Sequence, residues 1–228
     1  MNATTSAIKT PFRPLAALRA VQALRTNPDD TRQIFMIFQA LGGRSSARMF
    51  ARFRNSLNGQ RFLSEERSLL KVLTDRNSLA ELPAGSVGRA YLAFMESENL
   101  SAEGLVEASE GRAENAPPQE QLFLARMRDA HDLTHILTGY GRDPLGELCL
   151  LAFMNRHTRN PGQLLIIAMS WLQVPKSARP AIREAYRNGA KARWLVDQDY
   201  EALLARPLNE VRSDLGIRPP LLYESMQS

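Results

Sequence analysis

Apolar residues recur along most of this chain at three- and four-residue intervals, the spacing that collects them on one face of an α-helix. Residues 14–26 (PLAALRAVQALRT) alternate apolar and basic positions in this way and end before Asn27-Pro28. A second apolar-rich segment, Thr31 to Leu41, is expected to stop at Gly42-Gly43. The same pattern predicts helices at 46–56, 64–73, 86–97, 119–138, 144–156, 161–173, 178–196, 198–205 and 208–215. No stretch shows the two-residue alternation of a half-buried strand, so the fold class is all-α. Ser97 to Pro118 is rich in Glu, Ser, Ala, Gly and Pro and reads as a polar, acidic loop. The helices beyond it need partners for their apolar faces. Residues 1–228 are therefore expected to form a single-domain multi-helix bundle.

The sequence places all three histidines between positions 131 and 157, two of them in His131-Asp132-Leu133-Thr134-His135, with Glu147 following after eleven residues. A helix turns about 100° per residue, so His131, Asp132 and His135 share one narrow wedge. Gly139-Tyr140-Gly141 then breaks the helix, Asp143 suits an N-cap and Pro144 a first helical position. Glu147 would lie one turn into the next helix, and a short turn would let the two pack as a hairpin with Glu147 facing the histidines. Two imidazoles and two carboxylates form a hard-to-borderline donor set for a divalent ion, with zinc the first choice and Fe(II) or Mn the alternatives. The plainer reading is a His–Asp pair hydrogen-bonded within a buried helix.

The run from His131 to Glu147 resembles the HDxxH(x)11E signature of the ubiquinone (coenzyme Q) biosynthesis protein family, which includes the mitochondrial organiser of the coenzyme Q complex. Leu82-Pro83-Ala84-Gly85-Ser86-Val87-Gly88-Arg89-Ala90-Tyr91 with Phe94 is similar to the family's glycine-and-aromatic segment. Leu208-Asn209-Glu210-Val211-Arg212 with Leu215-Gly216-Ile217 is similar to its C-terminal region. Thr134 departs from the pattern, where an aromatic residue is common, and so does the acidic insert. The resemblance implies a protein that binds a polyprenylated aromatic precursor of ubiquinone at the membrane surface. It further implies an organiser of partner enzymes, or itself a metal-dependent decarboxylase and hydroxylase that exchanges the ring carboxyl for hydroxyl. Both roles stay open, as does a homodimer.

The charge is unevenly distributed: residues 96–120 hold seven glutamates and one arginine, and outside them 28 basic residues face 17 acidic ones. Such a surface favours phosphates on anionic lipids or pyrophosphate intermediates. Neither zinc-finger spacing nor an aromatic RNA-binding motif is present, so nucleic acid is not an expected partner. Arg179, Arg183, Arg187 and Lys191 form a four-residue stripe opposite Ile182, Tyr186, Ala190 and Trp194, suited to anionic headgroups or simply to solvent. The greasiest run, Leu164 to Val174, is shorter than the roughly 20 residues a bilayer span needs. Its Ile166 and Trp171 would line a channel for a polyprenyl tail, or belong to ordinary core.

Cys149 is the sole cysteine, so no intrachain disulfide framework exists, and the residue lies about 200° round its helix from Glu147, away from the donor set. The first 28 residues contain Lys9, Arg13, Arg19 and Arg25 and no acid, a transit-peptide composition. Because the first helix begins near Pro14, the start is read instead as mature protein. The expected location is cytoplasmic and peripheral on the inner membrane, or the matrix side of the mitochondrial inner membrane in a eukaryote. The competing class is a metal hydrolase built on His131 and His135. Zinc peptidases with this histidine spacing carry Glu where Asp132 stands, and the shorter Asp suits a ligand better than a base.

Overall fold

Polar side chains set where seven of the helices begin. Ser56, Ser68, Asp75, Ser86, Asp143, Asn160 and Asp199 each accept a hydrogen bond from a backbone N–H in the first turn that follows, satisfying donors a helix start leaves unpaired. In this computed structural model, which describes residues 12–26, 31–98 and 116–225, thirteen α-helices and no strand occur among the described residues. They are α1 (Pro14–Thr26), α2 (Thr31–Asn55), α3 (Leu57–Glu65), α4 (Leu69–Thr74), α5 (Arg76–Glu81), α6 (Val87–Ser97) and α7 (Pro118–Asp129), followed by α8 (His131–Thr138), α9 (Pro144–Thr158), α10 (Pro161–Gln173), α11 (Arg179–Lys191), α12 (Tyr200–Leu203) and α13 (Leu208–Leu215). A 3-10 turn, Leu195–Asp197, precedes α12.

The fold class is all-α, as the periodicity predicts, but several boundaries move. The helix expected to stop at Gly42-Gly43 continues to Asn55. Gly42 is where α2 passes the start of α10: a Cβ there would lie 2.4 Å from Asn160 Nδ2, and the same Nδ2 donates to the Phe38 carbonyl at 3.3 Å. The glycine serves close packing rather than termination. The segment expected as one helix over 64–73 divides at Glu66, which is left-handed (φ 48), with Ser68 starting α4. Helix α5, capped by Asp75, was not anticipated by the pattern. The 119–138 segment opens locally at Ala130 (ψ −4). The expected 178–196 helix ends at Lys191, because the next backbone groups are taken up elsewhere: Arg193 N–H donates to the Leu215 carbonyl at 2.8 Å and Leu195 N–H to His157 Nδ1 at 3.4 Å. Most of the expected acidic loop, 99–115, lies outside the described residues.

The largest buried cluster joins α4, α5, α6, α8, α9, α11 and α13 through residues including Leu79, Tyr91, Leu133, Leu137, Phe153, Ala185 and Val211. Each fully buried large side chain of this kind stabilises by about 1.5–3 kcal/mol. Helix α11 approaches α9 with a stripe of small residues, Ala181, Ala185 and Gly189; a Cβ on Gly189 would meet the Phe153 carbonyl oxygen at 2.3 Å. The inner face of α11 is therefore Ala181, Ile182, Ala185, Asn188 and Gly189, not the expected row that continues through Tyr186 and Ala190, both of which are exposed. A second cluster (Phe53, Phe62, Leu63, Phe123, Val196) ties α2 and α3 to α7. A third (Ala20, Val21, Ile37, Ile166) joins α1, α2 and α10.

Candidate metal centre

Helix α8 brings His131, Asp132 and His135 together so that one donor atom from each lies within 4.8 Å of the others. The two imidazoles meet edge to face at 4.8 Å, and His131 Nδ1 faces Asp132 Oδ1 at 3.2 Å. His131 is 43% exposed, whereas the His135 side chain is wholly buried, with Phe94 of α6 stacked on it at 5.9 Å. His135 Nδ1 lies 3.0 Å from the Tyr140 carbonyl oxygen. A carbonyl only accepts, so Nδ1 carries the proton and Nε2 presents its lone pair. That buried Nε2 has no hydrogen-bond partner and stands 3.5 Å from Glu147 Oε1, on a side chain 42% exposed.

Burial and then the neighbouring His131 push the His135 pKa down to about 4, keeping the ring neutral at neutral pH. Burial also pushes the Glu147 carboxyl up, opposed by His131 and Arg142. An unpartnered buried nitrogen costs free energy unless something meets it. A cation between Nε2 and Glu147 would meet it and favour the ionised carboxylate. Histidine ligands commonly donate their other N–H to a carbonyl in this manner, so the residues fit a divalent ion.

The hairpin that carries the donors is tightly closed. Gly139 ends α8 in the left-handed region (φ 80), and its N–H donates to the His135 carbonyl at 2.7 Å. Arg212 of α13 donates to the last carbonyls of α8, Ile136 at 2.7 Å and Leu137 at 3.0 Å, satisfying acceptors that a helix end leaves open. Asp143 Oδ1 caps α9 by accepting from Leu145 and Gly146 N–H, both at 3.2 Å. Gly146 has to be glycine for this approach: a Cβ there would lie 2.2 Å from the Gly141 carbonyl oxygen. Glu147 is the next residue, so the turn sets its distance from His135.

Residues 8–221 match the family model described as coenzyme Q (ubiquinone) biosynthesis protein Coq4. The chain belongs to the Coq4 family. It is 28% identical over 213 residues to the ubiquinone biosynthesis protein COQ4 homolog, mitochondrial, of Danio rerio, covering 90% of this chain and 76% of that one. Identity to the Homo sapiens COQ4 homolog, also named mitochondrial, is 28% over 218 residues, covering 92% and 79%. A crystal structure from Nostoc punctiforme, of a candidate ubiquinone biosynthesis protein, superposes with a TM-score of 0.67 at 20% identity, over 90% of this chain and 99% of that one. That likeness bears on the fold. No helix among the described residues of this Coq4-family chain is long and apolar enough to cross a membrane.

The structure thus gathers His131, Asp132 and His135, with Glu147 adjoining across the hairpin. Ile166 and Trp171 lie in different apolar clusters. Ile166 is buried with Ala20, Val21 and Ile37, whereas Trp171 packs against the main core beneath the guanidinium groups of Arg183 and Arg179, 4.8 and 5.4 Å from its ring centre. Arg183, Arg187 and Lys191 are exposed and Arg179 is half-buried. Sequence reasoning missed the stacking of Phe94 on His135 and the contacts of Tyr223 with the hairpin turn. Phe94 sits in the segment that carried the resemblance, but nothing local marks Tyr223, 80 positions beyond Asp143, as a neighbour of the turn.

Proposed function

We propose that this member of the ubiquinone biosynthesis family binds a polyprenylated aromatic precursor at a membrane surface, with the ring beside a divalent ion held by His131, Asp132, His135 and Glu147. The observation that carries this reading is the buried, unpartnered His135 Nε2 facing Glu147. Zinc is the first choice for a presenting or Lewis-acid role, and Fe(II) or Mn for a step that uses oxygen. When bound, the ion would anchor a carboxylate or phenolate oxygen and stabilise charge as the ring carboxyl leaves. Around it Tyr140 fixes the His135 tautomer, Phe94 backs the His135 ring, and Arg142, 3.9 Å from Glu98, would supply positive charge for the precursor's carboxylate.

The tail has two supports. Helix α10 contains no charged residue, and its outer row Leu164, Ala168 and Leu172 is exposed, Leu172 to 78%. Beside it, Trp171 with Arg179 and Arg183 combines an aromatic with cations, a pairing suited to an anionic headgroup layer. Ile166 would reach a tail through separation of α1 from α10. Partner enzymes of the same pathway and a second copy of this chain would dock on the remaining surface.

Deletion of the gene, in a strain lacking a second copy, is expected to lower ubiquinone and accumulate a prenylated aromatic acid that retains its carboxyl. Wild-type protein should restore the quinone and His135→Ala should not. Normal quinone in the deletion would sink this reading and point to the hydrolase class.

A further inference from the structure

The C-terminal tail is pinned at two places. On α11, Glu184 Oε2 accepts the backbone N–H groups of Leu221 at 3.1 Å and Leu222 at 3.0 Å. Farther on, the Tyr223 hydroxyl accepts from Gly141 N–H at 3.0 Å and donates to Asp143 Oδ2, which also receives the Ser225 hydroxyl at 3.3 Å. The Tyr223 ring meets the Tyr140 ring edge-on at 5.5 Å. The Tyr223 and Ser225 contacts converge on the turn between α8 and α9. Tyr140 supplies the carbonyl that orients His135, and Asp143 caps the helix that presents Glu147.

We propose that Tyr223 is a positioning residue: the tail is a strap whose phenol locks the turn, fixes the separation of the histidine helix from Glu147, and thereby sets the affinity of the site for a divalent ion. This rests on the metal-site reading above. The phenol uses its one O–H on Asp143 and one lone pair on Gly141, so removal of the oxygen deprives both sides of the turn at once. Burial and the Asp143 carboxylate push its pKa up to about 12, which keeps the proton on the phenol and the carboxylate in its accepting role. The strap also lies against the turn physically, since a Cβ on Gly146 would come within 2.8 Å of the Tyr223 oxygen.

Co(II) titration of the full chain, followed by its visible absorption, tests this together with amide hydrogen exchange at Gly141 and Gly146. Tyr223→Phe keeps the ring contact with Tyr140 and is expected to weaken Co(II) binding about tenfold or more, alter the absorption band and speed exchange at both amides. Tyr186→Phe, which removes a distant hydroxyl held by Arg156 at 2.9 Å, should change none of these. Asp143→Ser keeps a cap for α9 while removing the acceptor of the phenol, and should reproduce the loss even if Tyr223→Phe folds poorly. Wild-type affinity and band shape in either turn variant would overturn the strap while leaving the metal site standing. A wild-type chain that takes no Co(II) would overturn the metal-site reading and the strap with it.

Discussion

His157 lies ten residues past Glu147 and belongs to packing rather than to the site, yet it makes the pH behaviour of this protein testable. Its Nδ1 accepts from Leu195 N–H, and its Nε2 is buried without a partner. Burial, then Arg52 of α2 and Arg156 of its own helix, push its pKa from 6.5 down to about 4. A histidine held neutral in the folded state binds fewer protons than in the unfolded chain between those values, so its contribution to stability is lost as pH falls from about 6.5 towards 4. His157→Gln should flatten the metal-free stability curve across that window by up to about 1.4 kcal/mol per pH unit. Urea unfolding at a series of pH values measures this, and parallel curves for the two proteins would contradict it. Gly146 gives a second check: Gly146→Ala forces a Cβ onto the Gly141 carbonyl and should cost about 1–3 kcal/mol. Because Glu147 is the adjoining residue, the variant should also bind metal more weakly, and full retention of both properties would show that the turn yields freely.

The helices are tied together by a few buried polar contacts as well as by apolar packing. Arg126 of α7 forms two 2.8 Å bonds with the Glu201 carboxylate of α12 and a third, also 2.8 Å, with the Gln198 carbonyl, and both side chains are buried. Glu201→Ala would leave a buried guanidinium without its partner, at a cost of about 3–5 kcal/mol. A loss under 1 kcal/mol in chemical denaturation would show that Arg126 finds another acceptor. Such long-range pairs explain what the sequence could and could not reveal. The row His131, Asp132 and His135 was legible because helical period alone puts those side chains on one face, and Asp143-Pro144 marked the next helix through local capping. Gly42-Gly43 misled because its role depends on Asn160, more than a hundred residues away. The end of α11 at Lys191 was hidden for the same reason, since Leu215 and His157 compete for the backbone that follows it. Local capping marked the start of α9; stops imposed by distant partners carry no local signal.

The assembled chain presents an uncharged outer face on α10 beside the basic stripe of α11, while the candidate site lies on the α8–α9 hairpin. If these are separate parts of one device, anionic vesicles should bind the protein more strongly than neutral ones, with the difference fading as salt rises. Arg183→Glu with Arg187→Glu should weaken that binding and leave bound metal unchanged in a flotation assay paired with metal analysis. Equal binding to both vesicle types would remove the electrostatic part of the membrane reading. The central claim, that two histidines and two carboxylates share one ion, is tested most directly by metal content. Protein purified without chelators should carry about one divalent ion per chain, and alanine at His131, Asp132, His135 or Glu147 should drop it well below one with helical content nearly intact. Stoichiometric metal in both His131→Ala and His135→Ala would contradict the site.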